Sequence, residues 1–175
     1  MGKKGTFLAN LKRGVGYALI ADMKFSAQEE YGLRCLVAIA RQGKEASLTI
    51  PEISRMEGLT PSHVAKLMAI LRKSGFVKST RGQLGGYSLA KEPMKIKIKD
   101  VLESLGGRLF HDGFCDRHSG IEPHCVHEGD CLLHPLWTNI QEAVDVVVSR
   151  YTLEDVLDQR IAEPLVHLGV QSRRV

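Results

Sequence analysis

The sequence predicts a mainly α-helical fold with a small β wing, in which a winged helix-turn-helix domain is followed by a long C-terminal helix. Three observations lead there. Two capped helices are joined by a glycine turn; the hydrophobic period then shifts from that of a helix to that of short strands around a glycine-rich loop; and a long helix with one apolar side comes late in the chain. With 175 residues, 43% of them hydrophobic, the chain can bury a core for one domain with a helical appendage.

Residues 1–22 carry Lys3, Lys4, Lys12 and Arg13 with a short apolar patch, a superficial likeness to a targeting peptide. They are read instead as an N-terminal extension, disordered or preceding a natural start at Met23, because a helix cap follows at once. The winged domain is assigned to residues 23–107. Ser26 with Glu29 forms a capping-box signature, and Tyr31, Leu33, Leu36, Val37 and Ala40 continue on a helical stripe that ends at Gly43. Thr49 with Glu52 repeats the signature, Pro51 sits in the first turn, and this second helix runs to about Met56 before Gly58 turns the chain. Thr60 caps a third helix with Val64, Leu67, Met68 and Leu71 on one side, ended by Gly75.

Phe76 to Thr80 and Tyr87 to Ala90 read as strands flanking RGQLGG, a wing, and a short helix from about Lys99 to Leu105 closes the domain. Residues 108–134 show no sustained periodicity and read as an irregular loop rich in Gly, His, Asp and Cys. Residues 135–158 hold the long helix, opened by Pro135 and carrying Leu136, Ile140, Ala143, Val144, Val147 and Val148, and then a short helix near Leu153 to Leu157. Residues 159–175 form a tail.

The overall charge of +4 is too mild to assign a partner, but its distribution is informative. Between Leu59 and Lys91 there are Lys66, Arg72, Lys73, Lys78, Arg81 and Lys91 and no acidic residue, which marks a candidate phosphate-facing surface. A recognition helix must offer short polar groups near its N-terminus to base edges; Thr60, Ser62, His63 and Lys66 stand clear of the apolar stripe. His63 reads equally well as a solvated histidine. Lys66, Arg72 and Lys73 suit phosphates, and Arg81, Gly85 and Gly86 place the wing against a groove or the backbone.

Four cysteines, no secretory signal and no apolar run near about 18 residues argue for a reducing cytoplasm, no membrane span and thiols free to act as ligands. Cys115, Cys125, Cys131 and His134 fall within twenty residues, with nine, five and two residues between them. Thiolates select zinc, copper(I) or iron-sulfur clusters. Zinc knuckles use close cysteine pairs, which this loop lacks, so the wide spacing favours an iron-sulfur cluster; zinc and a metal-free loop stay open. His111, His118, His124 and His127 default to solvated side chains. Cys35, Met56 and Met68 read as core, and Trp137 as packing beside the loop.

Residues 23–157 resemble the winged-helix iron-sulfur repressors of the Rrf family, of IscR and NsrR type. The likeness is carried by MKFSAQEEYGLRCLVAIA, LRKSGFVKSTRGQLGGYSLA, IKIKDVLES, CLLHPLW and YTLEDVL. It implies a homodimer with crossing C-terminal helices, a pseudo-palindromic double-stranded DNA operator, and repression governed by cluster state in response to iron, redox state or nitric oxide. Cys115, Cys125 and Cys131 would carry the cluster with His134, or with Glu30 of the partner subunit as the alternative fourth ligand; a 2Fe-2S centre is favoured over 4Fe-4S. The sequence departs from the IscR branch in having nine residues rather than five between its first two cysteines, and Ala65 where that branch carries a glutamate. A metal-dependent or thiol enzyme is disfavoured, since no nucleotide-binding glycine motif, nucleophile elbow or HExxH occurs. A zinc site or a thiol/disulfide switch on the same DNA-binding fold is the alternative.

Overall fold

A computed structural model of the chain describes residues 25–43, 46–80, 85–111 and 113–161. The expected extension, most of the tail and the wing residue Arg81 lie outside the described residues. In chain order come α1 (Ala27–Ala40), α2 (Ile50–Glu57), α3 (Pro61–Lys73), β1 (Val77–Thr80), β2 (Gly86–Leu89), a 3-10 turn at Pro93–Lys95, α4 (Ile98–Leu105), α5 (Phe114–Arg117), α6 (His134–Val148) and α7 (Leu153–Leu157).

The helix starts are fixed locally. The Ser26 N–H donates to the Glu29 carboxylate at 2.6 Å and the Glu29 N–H donates back to the Ser26 hydroxyl at 3.3 Å. Thr49 and Glu52 exchange the same pair of bonds at the head of α2, as do Thr152 and Asp155 at the head of α7. Between α2 and α3, Gly58 adopts φ 67°, a left-handed conformation that a side chain disfavours, and this turn sets the helix-turn-helix.

The core lies where α1, α2, α3, β1, α4 and α7 meet. Leu36, Ile39, Ile53, Leu67, Met68, Leu71, Leu105 and Leu153 are fully buried within it. Met56 is a correction to the sequence reading: it is 49% exposed. The inward side of α2 is set by Ile53 and Ser54, and Met56 falls out of phase with it.

Strands β1 and β2 pair antiparallel in the register Val77 with Leu89 and Thr80 with Gly86. Leu48 bridges to Tyr87 through two backbone hydrogen bonds of 2.9 and 2.7 Å, anchoring the root of the wing to the chain before α2. After α6 the chain returns to this domain. Leu153 N–H donates to the Ile96 carbonyl at 2.9 Å and Ile98 N–H to the Tyr151 carbonyl at 3.0 Å, so α7 contributes Leu153 to the winged-domain core from beyond the cysteine loop.

The loop is more ordered than its sequence suggests. Phe110, Phe114 and His118 recur at four-residue intervals, Phe114 and His118 being stacked at 4.2 Å between ring centroids, and a single helical turn, α5, forms there.

The contact between α1 and α4 supplies a test of this packing. A Cβ on Gly32 would lie 2.5 and 2.6 Å from the two Leu105 methyls, and Leu105 is itself buried in the core. The gain of about 1 kcal/mol in helix propensity is smaller than the roughly 1–3 kcal/mol that overpacking costs. Gly32→Ala is therefore expected to lower the urea midpoint, and a variant more stable than wild type would show that α1 and α4 are not in this close contact.

Candidate functional site

Helix α3 presents the polar surface that a base-reading helix needs. Its inner side, Val64, Leu67, Met68 and Leu71, is buried, which turns Ser62, Lys66, Arg72 and Lys73 to solvent. Thr60 is committed to the helix start, its hydroxyl accepting from the His63 N–H at 3.3 Å and lying 3.3 Å from the Ser62 hydroxyl. His63 is half-buried with its ring edge-on to Tyr31 at 5.5 Å, so part of this side chain serves packing between α1 and α3. Gly85 and Gly86 sit half-buried at the start of β2. A Cβ on Gly86 would lie 2.8 Å from the Leu48 carbonyl oxygen, so the close backbone approach at the wing root gives that glycine a packing reason of its own.

The cysteine loop forms a second site. Cys115 comes from α5, Cys125 and Cys131 from the following turns, and His134 from the first residue of α6. All four line one open cavity of about 580 Å³, together with His127 and the acidic residues Asp116, Glu128 and Asp130. The three thiols are half-buried. Burial, then the neighbouring Cys125 and Cys131, then Asp116 and Glu128, push the Cys115 thiol above its ordinary range. Among the described residues no three His, Cys, Asp or Glu side chains are grouped as a single bound ion requires. Glu30, the alternative ligand, is exposed near the start of α1.

An aromatic cluster supports this loop; the sequence reading places Trp137 beside it but misses Phe110 and Phe114. Phe110 packs edge-on against the His134 ring at 5.0 Å and against Phe114 at 5.2 Å, and Trp137 lies 6.4 Å from Phe114. The four-residue spacing of Phe110, Phe114 and His118 was the available signal. His118 is committed locally, its Nδ1 lying 2.7 Å from the Phe114 carbonyl oxygen, whereas His127 faces the cavity. Cys35 is buried in the core, where burial pushes its thiol up to about 11.

Residues 25–159 match the Rrf2 family, described as an iron-dependent transcriptional regulator. The chain is 31% identical over 135 residues to protein rrf2 of Nitratidesulfovibrio vulgaris, covering 77% of this chain and 87% of that protein. It is also 31% identical over 134 residues to the HTH-type transcriptional regulator CymR of Bacillus subtilis, covering 77% of this chain and 89% of CymR. Among solved structures, T. potens IscR superimposes with a TM-score of 0.63 at 28% identity, covering 83% of this chain and 96% of that one.

The thiols differ enough in access to be told apart. In native, metal-free, reduced protein, an aromatic disulfide reagent is expected to titrate three of the four cysteines, with Cys35 reacting only after denaturation. Four fast-reacting thiols in the folded state would contradict the burial of Cys35.

Proposed function

Because the chain belongs to the Rrf2 family of transcriptional regulators, we propose that it binds a pseudo-palindromic DNA operator as a homodimer and represses transcription according to the state of an iron-sulfur cluster. Cys115, Cys125, Cys131 and His134 would hold the cluster, with a 2Fe-2S centre favoured. The observation that carries this reading is the convergence of three thiols and an imidazole on one cavity. Their chemistry suits such a group, since thiolates and imidazole are its usual donors. The family description as iron-dependent points the same way. A single zinc ion is less well supported, because the loop lacks the close cysteine pairs of zinc knuckles. When bound, the cluster supplies a redox- and ligand-sensitive centre whose loss frees the loop that it ties together.

The protein's own parts have separable tasks. Lys66, Arg72 and Lys73 neutralise phosphates and fix the register, while Ser62 and the exposed edge of His63 meet base edges. The wing would enter the minor groove or lie along the phosphate backbone. Dimerisation is supported by α6, where Leu136 and Val146 are 50% and 49% exposed and Gln141 is the one buried residue. A second copy laid on this helix would give two recognition helices related by a two-fold axis, which a pair of half-sites about one DNA turn apart would match. Glu30 of the partner subunit then becomes available as an alternative fourth ligand.

Two measurements check these assignments. Anaerobic reconstitution with iron and sulfide should give a brown protein whose visible absorption and acid-labile sulfide are lost in Cys125→Ala; iron stoichiometry then separates 2Fe-2S from 4Fe-4S. A chain that stays colourless after reconstitution, or that binds zinc alone, would overturn the cluster and leave the thiol switch. In operator titrations, Lys66→Ala or Arg72→Ala should weaken binding to all sequences alike and reduce the slope of log K against log salt by about one, whereas Ser62→Ala should change the ranking of operators. An unchanged salt slope in both lysine and arginine variants would remove them from the interface.

A further inference from the structure

Gln141 stands out on α6 as its one buried residue, at 4% exposure, although a glutamine side chain gains little from burial. Both ends of its amide are used. The oxygen accepts from the Phe110 N–H at 3.1 Å, at the entry to the cysteine loop, and the nitrogen donates to Asp145 Oδ1 at 2.7 Å. The other oxygen of Asp145 is held by Arg108 at 3.0 Å and by Lys99 Nζ at 3.4 Å. Arg108 in turn reaches Glu103 at 3.2 Å. Lys99 and Glu103 belong to α4, whose Val101 and Leu105 are buried in the winged-domain core. On the other side, the Phe110 ring lies against His134 and against Phe114, the residue before Cys115.

We propose that Gln141 is a positioning residue that couples the cysteine loop to the DNA-reading domain: it fastens the loop entry at Phe110 to α6 and, through Asp145 with Arg108 and Lys99, to α4. The inference rests on the cluster reading above and adds the route by which the state of the loop reaches the winged domain. The geometry favours this over a purely structural role. A buried glutamine needed only for packing could be satisfied within its own helix, whereas this one joins a loop backbone to a carboxylate shared by two cations from α4 and its C-terminal flank. The loop entry cannot shift without loosening a bond on which the orientation of the Asp145 carboxylate depends.

Hydrogen exchange of the full-length protein, metal-free and reconstituted with iron and sulfide, tests the coupling. In wild type, reconstitution is expected to slow exchange across residues 98–105 as well as in the loop. Gln141→Leu removes both amide bonds; Asp145→Asn keeps the side-chain size and cuts the ion pairs to α4, so it carries the test if the first variant fails to fold. Both variants are expected to take up the cluster, judged by visible absorption, yet to lose at least half of the slowing over 98–105, and their operator affinities with and without cluster should converge relative to wild type. Glu154→Gln, at a surface pair with Arg160, serves as the control and should behave as wild type. The inference is overturned if either folded, cluster-loaded variant shows the wild-type response in α4, or if wild type shows none there. Failure of wild type to take up iron and sulfide would overturn the cluster reading itself, and the coupling with it.

Discussion

Helix α1 packs at once against α2, α3, α4, β2 and α7, and the burial of its inner side, Cys35, Leu36 and Ile39, is the contact around which the DNA-reading unit is arranged. Each large apolar side chain buried there contributes about 1.5–3 kcal/mol, against roughly 0–1 kcal/mol for an exposed ion pair. The apolar contacts therefore decide the fold, and the ion pairs only orient what is attached to it. Because α3 must turn Val64, Leu67 and Leu71 inward, its polar residues have no direction left but outward. Because α4 closes onto Gly32 through Leu105, the chain leaving it at Arg108 starts the cysteine loop from a fixed position.

The two functional regions carry opposite electrostatic characters. From Leu59 to Lys91 every ionic residue is basic, while the cysteine loop interleaves its thiols with Asp112, Asp116, Glu122, Glu128 and Asp130. The first surface suits a polyanion. In the second region burial, and then the negative neighbours, favour the proton on Cys115.

What could be read from sequence was what is local. The caps at Ser26 and Thr49, the turn at Gly58, the stripe on α3 and the strands of the wing all depend on residues within a few positions of one another. The four candidate donors were chosen by residue type and spacing, but their gathering around one cavity depends on contacts between Phe110, Phe114, Trp137 and His134 that link α5 to α6. Helix α5 was missed because the four-residue recurrence of Phe110, Phe114 and His118 is too short a run to stand out as a helical period. Gln141 was unremarkable because a polar residue between apolar positions is read as facing water, and only the fold brings Phe110 over it. Met56 was misplaced for the converse reason, since hydrophobic character alone does not say which side of a short helix faces inward.

The backbone pairings that bring Leu153 back beside Ile96 pin both ends of everything between α4 and α7 to the same domain. The intervening chain is thereby a closed excursion, and the entropy of such a loop grows only logarithmically with its length, about 0.6 kcal/mol for each doubling. Residues can be inserted between Cys115 and Cys125 at almost no cost to the winged core. The separation of Cys115 from Cys125 can thus differ without unseating the fold that carries α3 and the wing.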